Sequence, residues 1–529
     1  MQTNVCSTTL SEEELSAPEK RKPLPMPSGG DERERKTRET MNCKKLFARR
    51  NDLRKQFLIL LGFMILQAAL LPLQAAAGTN SYLLESPTPA QAQAACQRYG
   101  FQMVRSLSGD VYLVQISDAV SPDLLKQLVK DDPNVKNLEL DGTAWVPEAT
   151  WQYRPGPAFS YSAVTQKPIS DYNLTQLYGQ RTWVGYVQQP ALAVIESSSG
   201  RDYTDIFSYG CDKSTSAGIV AVIDTGVDPD QPLLRSVLIP GYDFTRGIAG
   251  RASEMSDLSQ STAAILEQST AAILEQTKVA FLNQSTAAIL EQSTAAILEG
   301  QKLPAYFGHG TMVAGLVHLV APTAKIMPLK AFNADGSAKN SNILQAIYYA
   351  TDHGANVINM SFSLAQFSDE LMRAVNYATR HGVICVASAG NDNRKVLVYP
   401  AAFGNVVGVG STTLDDHRSA FSNYGADLVT VAAPGEALVT TYPGNHYAMA
   451  WGTSFSSGLV SGAAALLVSS NTGLQVGDVK RAFSNAVPCA SSPTSPCAPG
   501  DLGYGRLDLN AAQRAIVEII LPTTTPAPR

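Results

Sequence analysis

The feature that most constrains this chain is an alternation of apolar runs and amphipathic segments between residues 171 and 521. Runs such as GIVAVID (218–224) and VICVASAG (383–390) are apolar at almost every position, whereas SNILQAIYYATDHG (341–354) has helical spacing. Strands that are apolar on both faces are typical of parallel sheets covered by helices on both sides. The sequence therefore predicts an α/β fold with a doubly wound, mainly parallel sheet.

Composition narrows the class of protein further. The 529 residues are 45% hydrophobic and carry a net charge of −5, so a large core is expected, and nucleic acid is not an expected partner. The seven cysteines show no paired CxxC spacing, which argues against a structural zinc site. Cys489 and Cys497 lie in one Pro/Ser-rich loop; they are predicted to form a disulfide if the protein is exported, and otherwise are two free thiols. Cys385, in an apolar run, is predicted to be buried and inert.

The N-terminal segments resemble a targeting sequence rather than part of the fold. Residues 1–40 are polar and of mixed charge, which indicates a disordered or untranslated extension. Residues 41–77 combine a basic start, an apolar stretch at 57–71 and a small-residue end, the pattern of a signal peptide cleaved after Ala77. We therefore expect a secreted or periplasmic (extracytoplasmic) protein. The alternative is an uncleaved anchor, in which case the membrane would be a partner.

A small unit is predicted ahead of the α/β region. Residues 78–150 contain strand-like runs and one helical segment, SPDLLKQLVKD, with Ser121 as its N-cap. The helix is expected to place four apolar residues on one face: Leu124, Leu125, Leu128 and Val129. This pattern is α+β. The expected organisation along the chain is extension 1–40, signal peptide 41–77, small domain 78–150, linker 151–170, α/β domain 171–521 and flexible tail 522–529.

Residues 260–299 interrupt the α/β region with five units of eight residues, four of which read QSTAAILE. A period of eight advances about 80° per unit around an α-helix, so the apolar residues form no single stripe. A coiled coil is therefore not predicted, although a helical excursion at the surface is compatible with the pattern. We interpret the segment as a tolerated insertion without chemistry of its own; the alternative is a functional flap or interaction element.

Four polar residues stand where a doubly wound sheet places its ligand site, beyond the carboxyl ends of strands. Asp224 ends one apolar run, and Asn391 follows another. His309, in GHGT, and Ser454, in GTSFSSG, each begin a predicted helix. A serine hydroxyl becomes a nucleophile when a base, a group that orients the base and oxyanion donors surround it. Taken singly, each residue is equally compatible with an ordinary turn or cap.

Neighbouring residues of the same types have simpler interpretations. His318 lies nine residues after His309, on the opposite side of the predicted helix, and is expected to be structural. Ser456 and Ser457 lie further into the helix that Ser454 begins, and are expected to aid packing. The chain order Asp–His–Ser differs from the Ser–Asp–His order of α/β-hydrolases and the His–Asp–Ser order of chymotrypsin-like barrels.

The motifs VAVIDTGVD, GHGTMVAG, ASAGND and GTSFSSGLVSGAAALL jointly resemble those of the subtilisin-like serine proteases, over residues 171–518. The resemblance implies that Ser454 is the nucleophile and His309 the general base and acid. It also implies that Asp224 orients His309, and that Asn391 and the Ser454 amide form the oxyanion hole. The substrate-binding positions implied by the family are Ser361, Phe362, Ser363, Ala387, Ser388, Ala389 and Gly390.

The resemblance extends to the whole organisation of the protein. Residues 78–150 are similar to the family's propeptide, which implies an autoprocessed zymogen inhibited by its own propeptide. The implied activity is endopeptidase cleavage of protein or peptide substrates through an acyl-enzyme, with no required cofactor. Structural calcium is common in the family, but its ligands are unknown here. The available aspartates have no recognisable ligand spacing: Asp228, Asp230, Asp335, Asp415 and Asp416.

Three departures from the family pattern bear on these expectations. Phe455, Gly458 and Leu459 replace the usual Met and Pro-His pair, and Ser361-Phe362-Ser363 replaces the usual Ser-Leu-Gly. In addition, Asp224 and His309 are 85 residues apart, more than is typical of the family, and the octad insertion at 260–299 accounts for most of the excess. Two alternatives to a secreted protease remain open at this point. One is a catalytically silent subtilisin-like fold that acts as a binding protein, and the other is a membrane-anchored maturation protease of narrow specificity.

Overall fold

The computed structural model describes residues 78–146, 186, 189–196, 217–258, 280–281, 287–289, 304, 306–470, 473–491 and 496–520. The predicted extension, signal peptide, linker and tail lie outside the described residues and stay predictions. Among the described residues, no helix has both the length and the apolarity to cross a bilayer.

Residues 78–146 form a four-stranded antiparallel sheet with strand order β2-β3-β1-β4 and two helices. The elements are β1 Thr79–Glu85, α1 Pro89–Tyr99, β2 Gln102–Ser108, β3 Val111–Ser117, α2 Pro122–Val129 and β4 Asn137–Leu140. Ser121 caps α2 by accepting the backbone N–H of Leu124, as predicted. The predicted apolar face is wrong at Leu124, which is 56% exposed, because the helix turns Leu125 and Val129 toward the sheet.

The α/β region is built on one sheet of eight strands with order β16-β15-β14-β13-β6-β11-β7-β8. Every neighbouring pair is parallel except β7 and β8, so the predicted fold class is confirmed. The strands are β6 Ile219–Asp224, β7 Gly241–Asp243, β8 Ile248–Gly250, β11 Lys325–Lys330, β13 Val357–Met360, β14 Ile384–Ser388, β15 Val407–Thr412 and β16 Val431–Pro434.

Helices cover both faces of this sheet. They are α3 Pro190–Glu196, α4 His309–Val320, α5 Asn340–Asp352, α6 Asp369–Arg380, α7 Thr453–Ser470, α8 Val476–Phe483 and α9 Leu509–Ile520. Alternate side chains of β6 belong to different cores: Val220 and Val222 pack with α4 and α7, whereas Ala221 and Ile223 pack with α5 and α6. Burial on both faces explains why the strands read as unbroken apolar runs.

A second sheet contains part of the octad insertion. The hairpin of β17 (Leu438–Tyr442) and β18 (His446–Ala450) is extended by β10 (Ala287–Ile289) and then by β9 (Ala280–Phe281). A helical excursion is therefore wrong for these five residues. The physical reason is that their backbone pairs with the free edge of β18, and the octad sequence offers no helical stripe to compete with that pairing.

The cysteine predictions agree with the structure. Cys489 and Cys497 form a disulfide bond. Cys385 is a free and fully buried thiol on β14, and burial raises its pKa to about 12. A thiol with so high a pKa is protonated at neutral pH and is a poor nucleophile.

Candidate active site

Asp224 and His309 meet at the carboxyl end of β6. Asp224 is the last residue of β6 and His309 the first of α4, and their Oδ1 and Nδ1 atoms are 2.7 Å apart. The backbone N–H of Thr225 donates to the same oxygen at 2.7 Å. Both side chains are buried. A carboxylate beside Nδ1 fixes the imidazole tautomer, with the proton on Nδ1 and the lone pair on Nε2.

Glycines let the two loops approach this closely. A Cβ atom on Gly310 would lie 2.0 Å from the carbonyl oxygen of Gly226, in the loop after Asp224. Gly226 itself has a φ of 107°, in the left-handed region that favours glycine. The GHGT and DTG motifs are therefore explained by backbone contact between the segments that carry His309 and Asp224.

Ser454 lies in the first turn of α7, beside the same end of the sheet. Its Oγ donates to the carbonyl of Ser361 in a long contact of 3.5 Å, and the Ser361 hydroxyl donates to the Ser454 carbonyl at 3.0 Å. The next residue, Phe455, packs its ring against the His309 imidazole with centroids 5.4 Å apart. The departure at Phe455 thus places an aromatic ring directly on the histidine.

The Asn391 side chain is oriented by the residue before Ser454. Its Oδ1 accepts hydrogen bonds from the backbone N–H and the hydroxyl of Thr453, at 2.9 and 2.8 Å. The N–H of Gly390 donates to the same hydroxyl at 3.1 Å. With its oxygen held by α7, the amide directs its nitrogen donors away from Thr453. This is the orientation that an oxyanion-hole donor requires.

Residues 215–509, more than half of the chain, match the sequence model of the subtilase family. The chain belongs to the subtilase family. The resemblance read from the motifs is therefore confirmed.

Named relatives agree with this membership. The subtilase is 36% identical over 267 residues to the thermophilic serine proteinase of Bacillus sp. (strain AK1), an alignment that covers 50% of this chain and 56% of that protein. It is 40% identical over 173 residues to subtilisin BL of Lederbergia lenta, covering 31% of this chain and 64% of the relative.

A solved structure shares the fold. Fervidolysin from Fervidobacterium pennivorans, described as a keratinolytic enzyme related to subtilisin, superposes with a TM-score of 0.58 at 20% identity. The match covers 83% of this chain and 62% of fervidolysin. The subtilase therefore covers between 56% and 64% of the length of these relatives.

One predicted substrate-binding residue is paired with the small unit. Strand β5 (Thr143–Trp145) lies antiparallel to β12 (Ser337–Lys339) on one side. On the other side, Trp145 exchanges two backbone hydrogen bonds with Ser363, at 3.0 and 3.4 Å. The N–H of Val146 donates to the Gly336 carbonyl at 3.0 Å. The chain after β4 therefore forms the middle strand between two segments of the α/β domain.

The other predicted substrate-binding residues are fully buried. The Ser361 hydroxyl donates a hydrogen bond to the Ser454 carbonyl in α7, and Phe362 packs against Phe332 with ring centroids 5.1 Å apart. Ala387, Ser388 and Ala389 have no exposed surface. The role of these residues in substrate binding stays a prediction.

Carboxylates of the small unit cap two helices of the α/β domain, which the sequence did not suggest. Asp141 accepts the N–H and hydroxyl of Ser341, in the first turn of α5, at 2.8 and 2.9 Å. Glu139 accepts the N–H of Glu370, in the first turn of α6, at 3.4 Å. Negative charge at a helix N-terminus is stabilising because the first amides lack intrahelical partners.

The aspartates considered for calcium bind other groups. Asp228 accepts the N–H of Gly444 at 2.8 Å, Asp335 binds Ser337, and Asp416 pairs with Arg506. Across the described residues, no three His, Cys, Asp or Glu side chains gather into a metal site. We therefore assign calcium no ligands among these residues.

His318 and the helix serines have the surroundings expected of structural residues. Burial lowers the pKa of His318, in the last turn of α4, to about 4, so its ring is neutral at neutral pH. Ser456 donates to the Pro434 carbonyl at 3.1 Å, and Ser457 donates to the Ser454 carbonyl at 2.9 Å.

Proposed function

We propose that this subtilase is a serine endopeptidase that cleaves protein or peptide substrates with Ser454 as nucleophile. The observation that carries the proposal is the buried Asp224–His309 pair, 2.7 Å apart, beside the helix that Ser454 begins. The sequence motifs that match the family surround these same residues. No cofactor enters the chemistry.

The proposed reaction runs through two tetrahedral intermediates. Ser454 Oγ attacks the substrate carbonyl and its proton passes to His309 Nε2, while Asp224 stabilises the imidazolium. The oxyanion accepts hydrogen bonds from Asn391 and from the Ser454 amide at the positive end of α7. The C–N bond then breaks, His309 protonates the leaving amine, and a water repeats the steps to release the acid and regenerate Ser454.

We further propose that residues 78–150 are a propeptide that inhibits the domain at 171–521 until it is removed. The support is β5, which occupies the groove between β12 and Ser363 in the manner of a substrate strand. If the chain continues in this antiparallel register, the second residue after Trp145 would lie opposite Ser361, whose carbonyl contacts Ser454 Oγ. Since Trp145 is paired with Ser363, we expect the first cut after residue 147.

Export is part of the same proposal. A signal peptide at 41–77 would deliver the zymogen to an extracytoplasmic compartment, where the disulfide between Cys489 and Cys497 is stable. The octad insertion has no assigned role in catalysis.

The test compares the full chain with its Ser454→Ala variant. We expect the wild type to release its propeptide, seen by mass spectrometry, and to react with a fluorophosphonate probe, whereas the variant does neither. Ser456→Ala is the matched control, because it removes a buried hydroxyl from the same helix and should process and label normally. A well-folded wild type that neither processes nor labels would favour the binding-protein alternative.

A further inference from the structure

We infer that Glu254 is a positioning residue that ties the loop after Asp224 to the turn that carries His309. The inference rests on the proposed function, because it assigns Glu254 a role in holding that catalytic pair. Glu254 begins a short 3₁₀ turn, Glu254–Asp257, and has no exposed surface. A buried carboxylate is costly unless several donors satisfy it, so its contacts identify what it holds.

Three donors meet the carboxylate, and each is close in sequence to the catalytic pair. The hydroxyl of Thr225, the residue after Asp224, donates to Oε2 at 2.9 Å. The backbone N–H of Gly308, the residue before His309, donates to the same oxygen at 3.0 Å. The hydroxyl of Thr311, in the first turn of α4, donates to Oε1 in a short hydrogen bond.

The two hydroxyls each connect the loops a second time. Thr225 Oγ1 accepts the N–H of Gly310 at 3.0 Å, and Thr311 Oγ1 accepts the N–H of Asp228 at 2.8 Å. Each hydroxyl therefore accepts from the opposite loop and donates its hydrogen to Glu254. One carboxylate thus orients a set of hydrogen bonds that crosses between the Asp224 and His309 segments in both directions.

The contact between these segments is made by backbone, as the close approach of Gly310 to Gly226 shows. Besides this backbone contact, the hydrogen bonds through Glu254, Thr225 and Thr311 set the relative position of the loops. Loss of Glu254 would leave Gly308 N–H without its acceptor and free both threonine hydroxyls to rotate. The 2.7 Å contact between Asp224 and His309 would then be held less firmly.

The test measures catalysis in Glu254→Gln and Glu254→Ala variants of the full chain after processing. Misplacement of catalytic groups by about 1 Å costs up to about 100-fold in rate, and we expect a loss of about that size in kcat for the alanine variant. KM should change little, because Glu254 does not contact the substrate groove. The glutamine variant, which keeps the shape and one acceptor oxygen, should lie between wild type and Glu254→Ala.

Asp508→Asn is the matched control. Asp508 is also a buried carboxylate and accepts the N–H of Ala511 at the start of α9, where asparagine can serve as well. Its kcat should equal that of the wild type. Thermal unfolding of all variants separates loss of positioning from loss of fold, and the glutamine variant supplies the measurement if Glu254→Ala does not fold.

A second readout does not need turnover. In a Ser454→Ala background, the proton shared by Asp224 and His309 should give a low-field NMR signal that is lost or shifted when Glu254→Ala is added. An unchanged kcat and an unchanged signal in folded Glu254 variants would overturn the inference and leave the protease proposal intact. A wild type that never labels would instead contradict the proposed function, while the NMR comparison would still test Glu254.

Discussion

Two regions of the molecule are held together in different ways. One is the catalytic region around Asp224 and His309, inside the α/β domain, and the other is the boundary between that domain and the small N-terminal unit, residues 78–146. The catalytic residues are joined by backbone contacts at glycines and by fully buried hydrogen bonds. The small unit is held by one short strand, by carboxylates and by apolar residues such as Leu83 and Leu113, which share a buried core with α5 and α6. Burial raises the pKa of Glu139, Asp141 and Glu370 at this boundary. The geometry around Asp224 and His309 is therefore part of the fold itself, whereas attachment of the small unit depends in part on groups that titrate. Such a boundary is compatible with the proposed release of the small unit.

The largest expected effect is a loss of turnover that concerns the catalytic region alone. Asn391→Ala should lower kcat by about 10²–10³-fold, the magnitude known for one oxyanion-hole donor in a subtilisin. The fold should persist, because the backbone of Asn391 is unchanged and Thr453 retains its bond to Gly390. Steady-state kinetics on a peptide substrate and circular dichroism check both statements. Turnover near that of the wild type would show that Asn391 is not the donor.

The next effect concerns pH and the small unit. Burial raises the pKa of Glu370 from 4.5 to about 7, although Asn137 and Arg373 lower it. Release of the small unit would expose Glu370 and return its pKa toward the ordinary value. The α/β domain with the small unit bound then binds more protons than the two parts when separated. The affinity between the two parts is therefore full below about pH 4.5 and falls as pH rises to about 7.

The slope for this one group is at most about tenfold in affinity per pH unit. Size-exclusion chromatography of the processed protein across this pH range would measure the release of the small unit. Glu370→Gln should flatten the dependence, since a glutamine cannot titrate. A pH slope that survives the substitution would assign the effect to other groups at the boundary.

The smallest expected effect comes from a substitution that removes a single helix cap. Asp141→Ala should weaken attachment of the small unit by about fivefold to tenfold, since one N-cap contributes about 1 kcal/mol. Asp131→Ala is its control, because Asp131 is an exposed carboxylate of the same unit. The same release assay applies. Equal effects of the two substitutions would mean that net charge, rather than the cap on α5, holds the small unit.

Local sequence predicted much of the catalytic region. Asp224 ends its strand, His309 begins its helix and Ser454 lies in the first turn of its helix, as expected, because each position is marked by its own run of glycines and apolar residues. Strand burial on both faces was predicted for the same reason. These features depend on neighbours within a few residues.

The features that were missed depend on distant parts of the chain. Glu254 lies 54 residues before its partner Gly308, and no local motif marks it. Strand β5 and the pairing of the octads with β18 exist only because a separate segment supplies the partner strand. Leu124 was misplaced because helical periodicity alone does not say which part of an apolar face meets the sheet.

The hydrogen bond between Glu254 and Gly308 also joins the two ends of the chain segment that contains the octads. For a flexible loop between fixed ends, a change of length alters mainly the entropy of loop closure, which grows only with the logarithm of length. One octad more or less should cost on the order of 0.1 kcal/mol. We therefore expect a change in octad number that preserves the pairing of β10 with β18 to be nearly neutral for folding.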